Sequence, residues 1–346
     1  RRCTSWPISD SLVARGCSQG CRRVARIEFE VIQGWEKLPE GWRFVEVAGV
    51  ATDSDDRVYA FNRGEHPMIV FDADGSFIEA WGEGIFTNPH GLHIGPDDRV
   101  YAADNFDHTV RVFSRSGELL ETLGEKDKPA DTGFVAGMTP VQYGGDPFNM
   151  VTNVALSRAG ELYVSDGYGN ARVHKFSSDL EYEFSWGEPG TGPGEFRLPH
   201  AIAIDEGDRI YVADRENSRV QVFAPDGTYI TEWNHVTRPD DLFIDSEGFI
   251  YVAELGERAG RRPDVEILPH MPHARVSVLD LDGEVVTRFG GDDPVRPGNF
   301  FAPHGIWADS RGDLYVAEVV YSAGGNRGLV PLDCHALQKF ARIRSE

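Results

Sequence analysis

Cysteine is scarce and poorly placed for cross-links. Only four occur in 346 residues, and three of them, Cys3, Cys17 and Cys21, fall at the extreme start. Cys334 is left alone in the remainder, so no disulfide framework can staple the fold. This usage points to a reducing, cytoplasmic compartment. Cys17 and Cys21 could begin a metal site, but no second pair follows them. Long apolar runs are also missing: no stretch of about 18 such residues occurs, so no membrane span or membrane partner is expected. Positive charge is in deficit, with 34 Lys and Arg against 56 Asp and Glu, a formal net charge of −22. That sign argues against a nucleic-acid backbone as partner and favours solubility. Residues 1–23 lack the apolar stretch of a signal peptide and carry Arg1, Arg2, Arg15, Arg22 and Arg23. They are expected to form a tail outside the fold, disordered or foreign to the natural chain, with residues 24–346 as one domain.

What the chain does have is a repeat. An aromatic strand recurs as Val58-Tyr59-Ala60-Phe61-Asn62, Val100-Tyr101-Ala102-Ala103-Asp104, Leu162-Tyr163-Val164-Ser165-Asp166, Ile210-Tyr211-Val212-Ala213-Asp214, Ile250-Tyr251-Val252-Ala253-Glu254 and Leu314-Tyr315-Val316-Ala317-Glu318. The tyrosines are 42, 62, 48, 40 and 64 residues apart. Spacings of about 40 to 45 residues suit four-stranded propeller blades, and the longest ones imply insertions. Each unit adds an alternating strand such as Val220-Gln221-Val222-Phe223 and turns such as Asp226-Gly227. Period-two alternation between Gly and Asp turns predicts strands. The sixth unit lacks its last strand, and residues 26–35 resemble the fourth strand of the third unit. The expected fold is therefore an all-β, six-bladed β-propeller in which the N-terminal strand closes the last blade and removes the open sheet edges. The six tyrosines are expected in the core.

Histidine occupies one point of this repeat in every second copy: Pro89-His90-Gly91, Pro199-His200-Ala201 and Pro303-His304-Gly305. The intervening copies carry Ala48, Thr152 and Asp240 there. In a closed ring of six, alternate blades put the imidazoles about 120° apart around one axis. Each histidine alone reads as structural, but three on one axis can bind zinc and leave a fourth position open. The turns after the tyrosine strands should lie at the same mouth. Three of them bring unusual residues: Arg63, Tyr168 and Arg215. Guanidiniums suit a substrate carboxylate through paired hydrogen bonds, and a phenol beside a cation can serve as a base. Tyr168 could equally be a packed channel residue, and Arg215 a structural ion pair. His93, His108, His174, His235 and His335 read as surface or packing residues, and His270 and His273 as exposed.

Taken together, Arg63-Gly64-Glu65-His66, Pro89-His90-Gly91-Leu92, Ser165-Asp166-Gly167-Tyr168, Pro199-His200, Ala213-Asp214-Arg215-Glu216-Asn217 and Pro303-His304 resemble the peptidyl-α-hydroxyglycine α-amidating lyase family, also called peptidylamidoglycolate lyase, a six-bladed propeller of NHL-type repeats. The resemblance implies that His90, His200 and His304 bind zinc or another divalent transition metal. It implies Tyr168 as the base on a carbinol hydroxyl, Arg63 orienting the substrate, and Arg215 supporting the site. The implied reaction splits an N-acyl-α-hydroxyglycine, a small or peptide-derived substrate with a carboxylate, into a primary amide and glyoxylate. A monomer is expected.

This chain departs from that family at several points. Gly169, Tyr211 and Val222 stand where the animal enzymes carry cysteines, so two disulfides are missing. Gly305 replaces an aspartate that binds calcium, so calcium is not expected. Ala302 replaces a methionine near the substrate. Two long insertions have no counterpart, residues 255–275, with Arg258, Arg261, Arg262, His270 and His273, and residues 320–338; a further loop covers residues 125–149. Such loops shape specificity on a rigid scaffold. Three functions stay open: a zinc lyase on a carbinolamide, a lactonase-like propeller metal hydrolase with a carboxylate- and amide-rich channel site, and a non-catalytic protein-binding scaffold.

Overall fold

The computed structural model describes residues 27–257, 259 and 272–344. The expected tail, with Cys3, Cys17 and Cys21, lies outside the described residues, as do Arg258, Arg261, Arg262 and His270. The described chain forms six four-stranded antiparallel sheets around one axis. Their inner strands are Val47–Thr52, Pro89–Ile94, Val151–Leu156, Pro199–Ile204, Pro239–Ile244 and Pro303–Ala308. Five sheets run in sequence order from the inside out. The sixth is completed by Glu28–Ile32, which lies outside Leu337–Ile343 and pairs with it from Glu28 opposite Ile343 to Ile32 opposite Lys339. The ring is closed as the repeat predicted.

Burial follows position within each blade. The first three strands of a blade are packed on both faces, so they read as near-continuous apolar runs. The fourth strand faces solvent on one side and tolerates Leu119, Leu120 and Ile230 at the surface. The core therefore lies between blades. Tyr211 and Val222 of the fourth blade, for example, pack against Leu242 and Ile250 of the fifth.

The repeated tyrosines explain themselves here. All six are buried, and five hydroxyls donate to a carboxylate: Tyr59 to Asp53, Tyr163 to Glu161, Tyr211 to Asp205, Tyr251 to Asp245 and Tyr315 to Asp309. The aspartates among these also gather backbone N–H groups of the preceding hairpin, as Asp205 does from Gly207 and Arg209. Burial and the nearby carboxylate push the Tyr163 hydroxyl up to about 12, so it stays a donor.

The repeated acid has a different task. Asp104 accepts the backbone N–H groups of Thr87 and Asn88. Asp214 accepts those of Arg197 and Leu198, and Glu318 those of Phe301 and Ala302. These donors directly precede Pro89, Pro199 and Pro303. Proline has no N–H of its own, so the acid fixes the chain one step upstream of each histidine.

Among the described residues, helix is confined to short turns. One turn, Val320–Ala323, lies in the 320–338 insertion. A 3-10 turn at Arg215–Asn217 lies outside the insertions and shapes the turn that carries Arg215. The closing strand sets the testable consequence of this architecture. Removing residues 1–33 should expose the edge of Leu337–Ile343, lower the thermal midpoint and cause self-association on size-exclusion chromatography. A truncated protein of unchanged midpoint and size would contradict closure by this strand.

Candidate active site

The three histidines meet on the axis. Their ring centroids are 4.6, 4.9 and 4.9 Å apart, a nearly equilateral set, and each residue is buried. Each Nδ1 faces a backbone carbonyl of the next blade: His90 to Thr152 at 2.7 Å, His200 to Asp240 at 2.6 Å and His304 to Ala48 at 2.7 Å. A carbonyl can only accept, so each Nδ1 carries the proton and each Nε2 turns a lone pair to the axis. The accepting residues are the ones that fill the histidine position in the intervening blades. One candidate ligand atom from each ring lies within 4.8 Å of the other two. The Nε2 of His304 is buried and has no partner among the described residues.

Burial and neighbouring positive charge keep these rings neutral. His90 and His200 are held well below the ordinary histidine range, by desolvation first and then by the other imidazoles and the guanidiniums. Desolvation lowers His304 to about 4. Neutral rings with fixed tautomers form a donor set that fits one metal ion.

Tyr168 stands over the triad. Its Oη is 3.0 Å from His200 Nε2 and 3.4 Å from His90 Nε2. Arg215 Nη1 donates to that oxygen at 3.1 Å, and the guanidinium lies over the ring at 5.3 Å. Arg215 Nη1 also donates to Asp240 Oδ1 at 3.1 Å, and Nε donates to Glu216 Oε1 at 3.0 Å. Arg63 donates from Nε to the Pro89 carbonyl at 2.7 Å and from Nη1 to Glu46 Oε1 at 3.1 Å. The sequence-based site residues Arg63, Tyr168, Arg215, His90, His200 and His304 thus come together. Each guanidinium has Nε and Nη1 engaged and Nη2 without a partner among the described residues. Arg215 Nη1 spends both its protons, on Tyr168 and Asp240, whereas Arg63 Nη1 spends one, on Glu46.

Several participants were not visible in the sequence. Glu46 holds Arg63 and, through Oε2, accepts the backbone N–H of Ser322 at 2.7 Å, tying the 320–338 insertion to the site. Glu216 also binds the buried Arg238 at 3.0 Å. The loop 125–149 braces the Tyr168 turn: Thr132 Oγ1 donates to the Gly169 carbonyl at 2.6 Å, and Gly169 N–H donates to the Asn149 carbonyl at 3.1 Å. A side chain at Gly169 would place its Cβ 2.2 Å from Asn149 Oδ1, so this turn needs glycine. Only a full pairing of Asn149 with the turn, invisible in repeat spacing, reveals that brace. His174, read as packing, is buried between Asp146 and Asp166, each at 3.3 Å, within the same brace. His93 and His108 are likewise packing residues, the first against Trp307 and the second accepting the Met150 N–H at 3.0 Å.

Residues 196–223, in the fourth blade, match the NHL repeat model. NHL repeat-containing protein 3 of Mus musculus is 33% identical over 306 residues, covering 84% of this chain and 81% of that protein. The chain belongs to the NHL repeat-containing protein family. Other relatives of this NHL-repeat propeller bear reaction names. Peptidyl-alpha-hydroxyglycine alpha-amidating lyase 1 of Drosophila melanogaster is 30% identical over 262 residues, covering 71% of this chain and 46% of that protein. Peptidylglycine alpha-amidating monooxygenase of Rattus norvegicus is 28% identical over 335 residues, and the chain spans 32% of its length. Among solved structures, a streptogramin B lyase superposes with a TM-score of 0.57 at 11% identity, covering 92% of this chain and 98% of that one, a likeness of fold.

The neutral triad makes a pH prediction. A folded-state value of about 4 for His304 lies below the ordinary 6.5, so the unfolded chain binds more protons between them. Stability of the metal-free NHL-repeat protein should be full above about pH 6.5 and fall as pH drops toward about 4. Thermal midpoints across this window should fall less steeply in His304→Gln. Parallel curves for both proteins would show that this ring does not resist protonation.

Proposed function

We propose that this NHL-repeat protein is a metal-dependent carbon–nitrogen lyase. Its substrate is an N-acyl-α-hydroxyglycine or similar carbinolamide, and its products are a primary amide and glyoxylate or another carbonyl compound. The observation that carries the reading is the convergence of three tautomer-fixed Nε2 atoms and the Tyr168 hydroxyl at one point. The name of the fly relative supports the reaction class.

His90, His200 and His304 would hold zinc or another divalent transition metal. When bound, such an ion supplies a Lewis acid that polarises the carbinol oxygen and eases loss of its proton. The donors favour a cation on chemical grounds. Three Nε2 atoms face the axis as acceptors, and one phenolic proton is available to them, so the cluster lacks positive charge at its centre.

The remaining steps belong to the chain itself. Tyr168 Oη, as the phenolate, takes the carbinol proton, and Arg215 Nη1 holds that oxygen in place. The electron pair of the O–H bond becomes the second C–O bond. The C–N bond breaks with its electron pair on nitrogen, and the proton returns from Tyr168 to that nitrogen, which restores the phenolate. Arg63, fixed by Pro89 and Glu46, would orient the substrate through its remaining N–H donors, with the carboxylate as their acceptor.

The hydrolase alternative needs an open set of carboxylates and amides in the channel. Asn153 and Asp241 are there, but they bond to each other at 2.7 Å, and Asp241 Oδ2 accepts the Ile306 N–H at 2.9 Å. Burial pushes the Asp241 carboxyl up to about 8. Calcium is not part of the proposal: Gly305 brings no carboxylate, and a Cβ there would sit 2.9 Å from the Gly49 Cα.

Two outcomes follow. Protein purified without added metal should carry about one divalent ion per chain by elemental analysis, and His200→Ala should lose it; unchanged content in the variant would refute the ligand set. Tyr168→Phe should keep metal and fold yet lose about 10² to 10⁴ in glyoxylate release from an N-acyl-α-hydroxyglycine. Undiminished turnover in that variant would remove Tyr168 from the chemistry.

A further inference from the structure

The residues at the head of the six inner strands read Ala48, His90, Thr152, His200, Asp240 and His304 around the axis. Two of the three that are not histidine ask for no explanation. Ala48 has no functional group, and the Thr152 hydroxyl is used up by Ser165 and the Pro199 carbonyl. Asp240 differs from both. It is 1% exposed, and its carboxylate is satisfied on one side only. Oδ1 accepts from Arg215 Nη1 at 3.1 Å, the nitrogen that also donates to Tyr168 Oη at 3.1 Å. Oδ2 is buried and has no partner among the described residues.

A buried carboxylate oxygen without a donor costs stability. The first and third blades show that the propeller does not need a carboxylate here, because alanine and threonine close the same ring. The Oδ1 acceptor therefore serves the centre. Its position explains how. Arg215 has a second carboxylate, Glu216, on its Nε. Without Asp240, nothing opposes the pull of Glu216 on the guanidinium, and Nη1 loses the partner that holds it over the phenol. The same residue acts a second time through its main chain, since the Asp240 carbonyl sets the Nδ1–H tautomer of His200 at 2.6 Å.

We propose that Asp240 is a positioning residue of this site, whose carboxylate clamps Arg215 onto the Tyr168 hydroxyl while its carbonyl orients His200. The inference rests on the lyase reading for its kinetic arm only. Asp240→Ala removes the clamp and keeps the carbonyl, so it should retain about one metal ion per chain. The side-chain Nε–H resonance of Arg215, assigned by its absence in Arg215→Lys, should shift or broaden. In turnover, kcat should fall about 10²-fold with KM changed only a few-fold, the mark of lost positioning. Asp240→Asn preserves the Oδ1 acceptor with little change of shape. It should restore the Arg215 resonance and most of kcat, and it keeps the test open if the alanine variant fails to fold.

An Arg215 resonance unmoved in Asp240→Ala would overturn the clamp. So would a loss confined to KM, or an asparagine variant as impaired as alanine. Loss of the metal with the carbonyl in place would overturn it too, by making Asp240 a ligand. If wild-type protein releases no glyoxylate while the resonance still responds to Asp240→Ala and recovers in Asp240→Asn, the clamp stands and the reaction assignment falls.

Discussion

The centre depends on where six inner strands begin. That point is set by the side chain ending each blade's second strand, a carboxylate in five blades and the Asn62 amide in the first, which draws in backbone N–H groups just upstream of the inner strand. In the second, fourth and sixth blades it fixes the residues before Pro89, Pro199 and Pro303, and so the heights of the three histidines on the axis. A third-strand residue neutralises or bonds the acid in turn: Arg219 on Asp214, Arg275 on Glu254, Gln338 on Glu318. The same device in the third blade uses His174 and anchors the loop that braces Tyr168. Scaffold and site are therefore one hydrogen-bonded system.

Electrostatics at the mouth are closely balanced. Arg63 is matched by Glu46, and Arg215 and Arg238 share Asp240 and Glu216. Three cations thus face three carboxylates, although the chain as a whole carries −22. The guanidiniums act here mainly as rigid donors. Their charge is spoken for, while their geometry, fixed by carbonyls and carboxylates, remains available to a ligand. This balance limits how strongly an anion can be drawn in by arginine alone.

Much of this was legible in the chain. Tyrosine and acid recur at blade spacing because each has the same structural task in every blade, and a task repeated in space leaves a period in sequence. The alternate histidines, Arg63, Tyr168 and Arg215 were legible for the same reason: each breaks a period at a defined place. Asp240 was read only as filler between histidines, because its value lies in Arg215, 25 residues away and in another blade. Glu46 and Asn149 were silent because they stand outside the repeat and act through bonds of no fixed spacing. Which guanidinium nitrogens Glu46, Glu216 and Asp240 occupy was silent on the same ground.

The closing strand also dictates when the molecule can exist. Glu28–Ile32 precedes all six inner strands and pairs with Leu337–Ile343, which follows every other strand of the ring. During synthesis five blades can assemble first, yet the sixth stays an open edge until Leu337–Ile343 has emerged. His304 belongs to that sixth blade, and its Nδ1 needs the Ala48 carbonyl of the first. The histidine triad is thus completed by the contact that seals the ring. A chain that lacks this step keeps unpaired strand edges and an unseated sixth blade, so ring closure couples the end of aggregation risk to the completion of the triad.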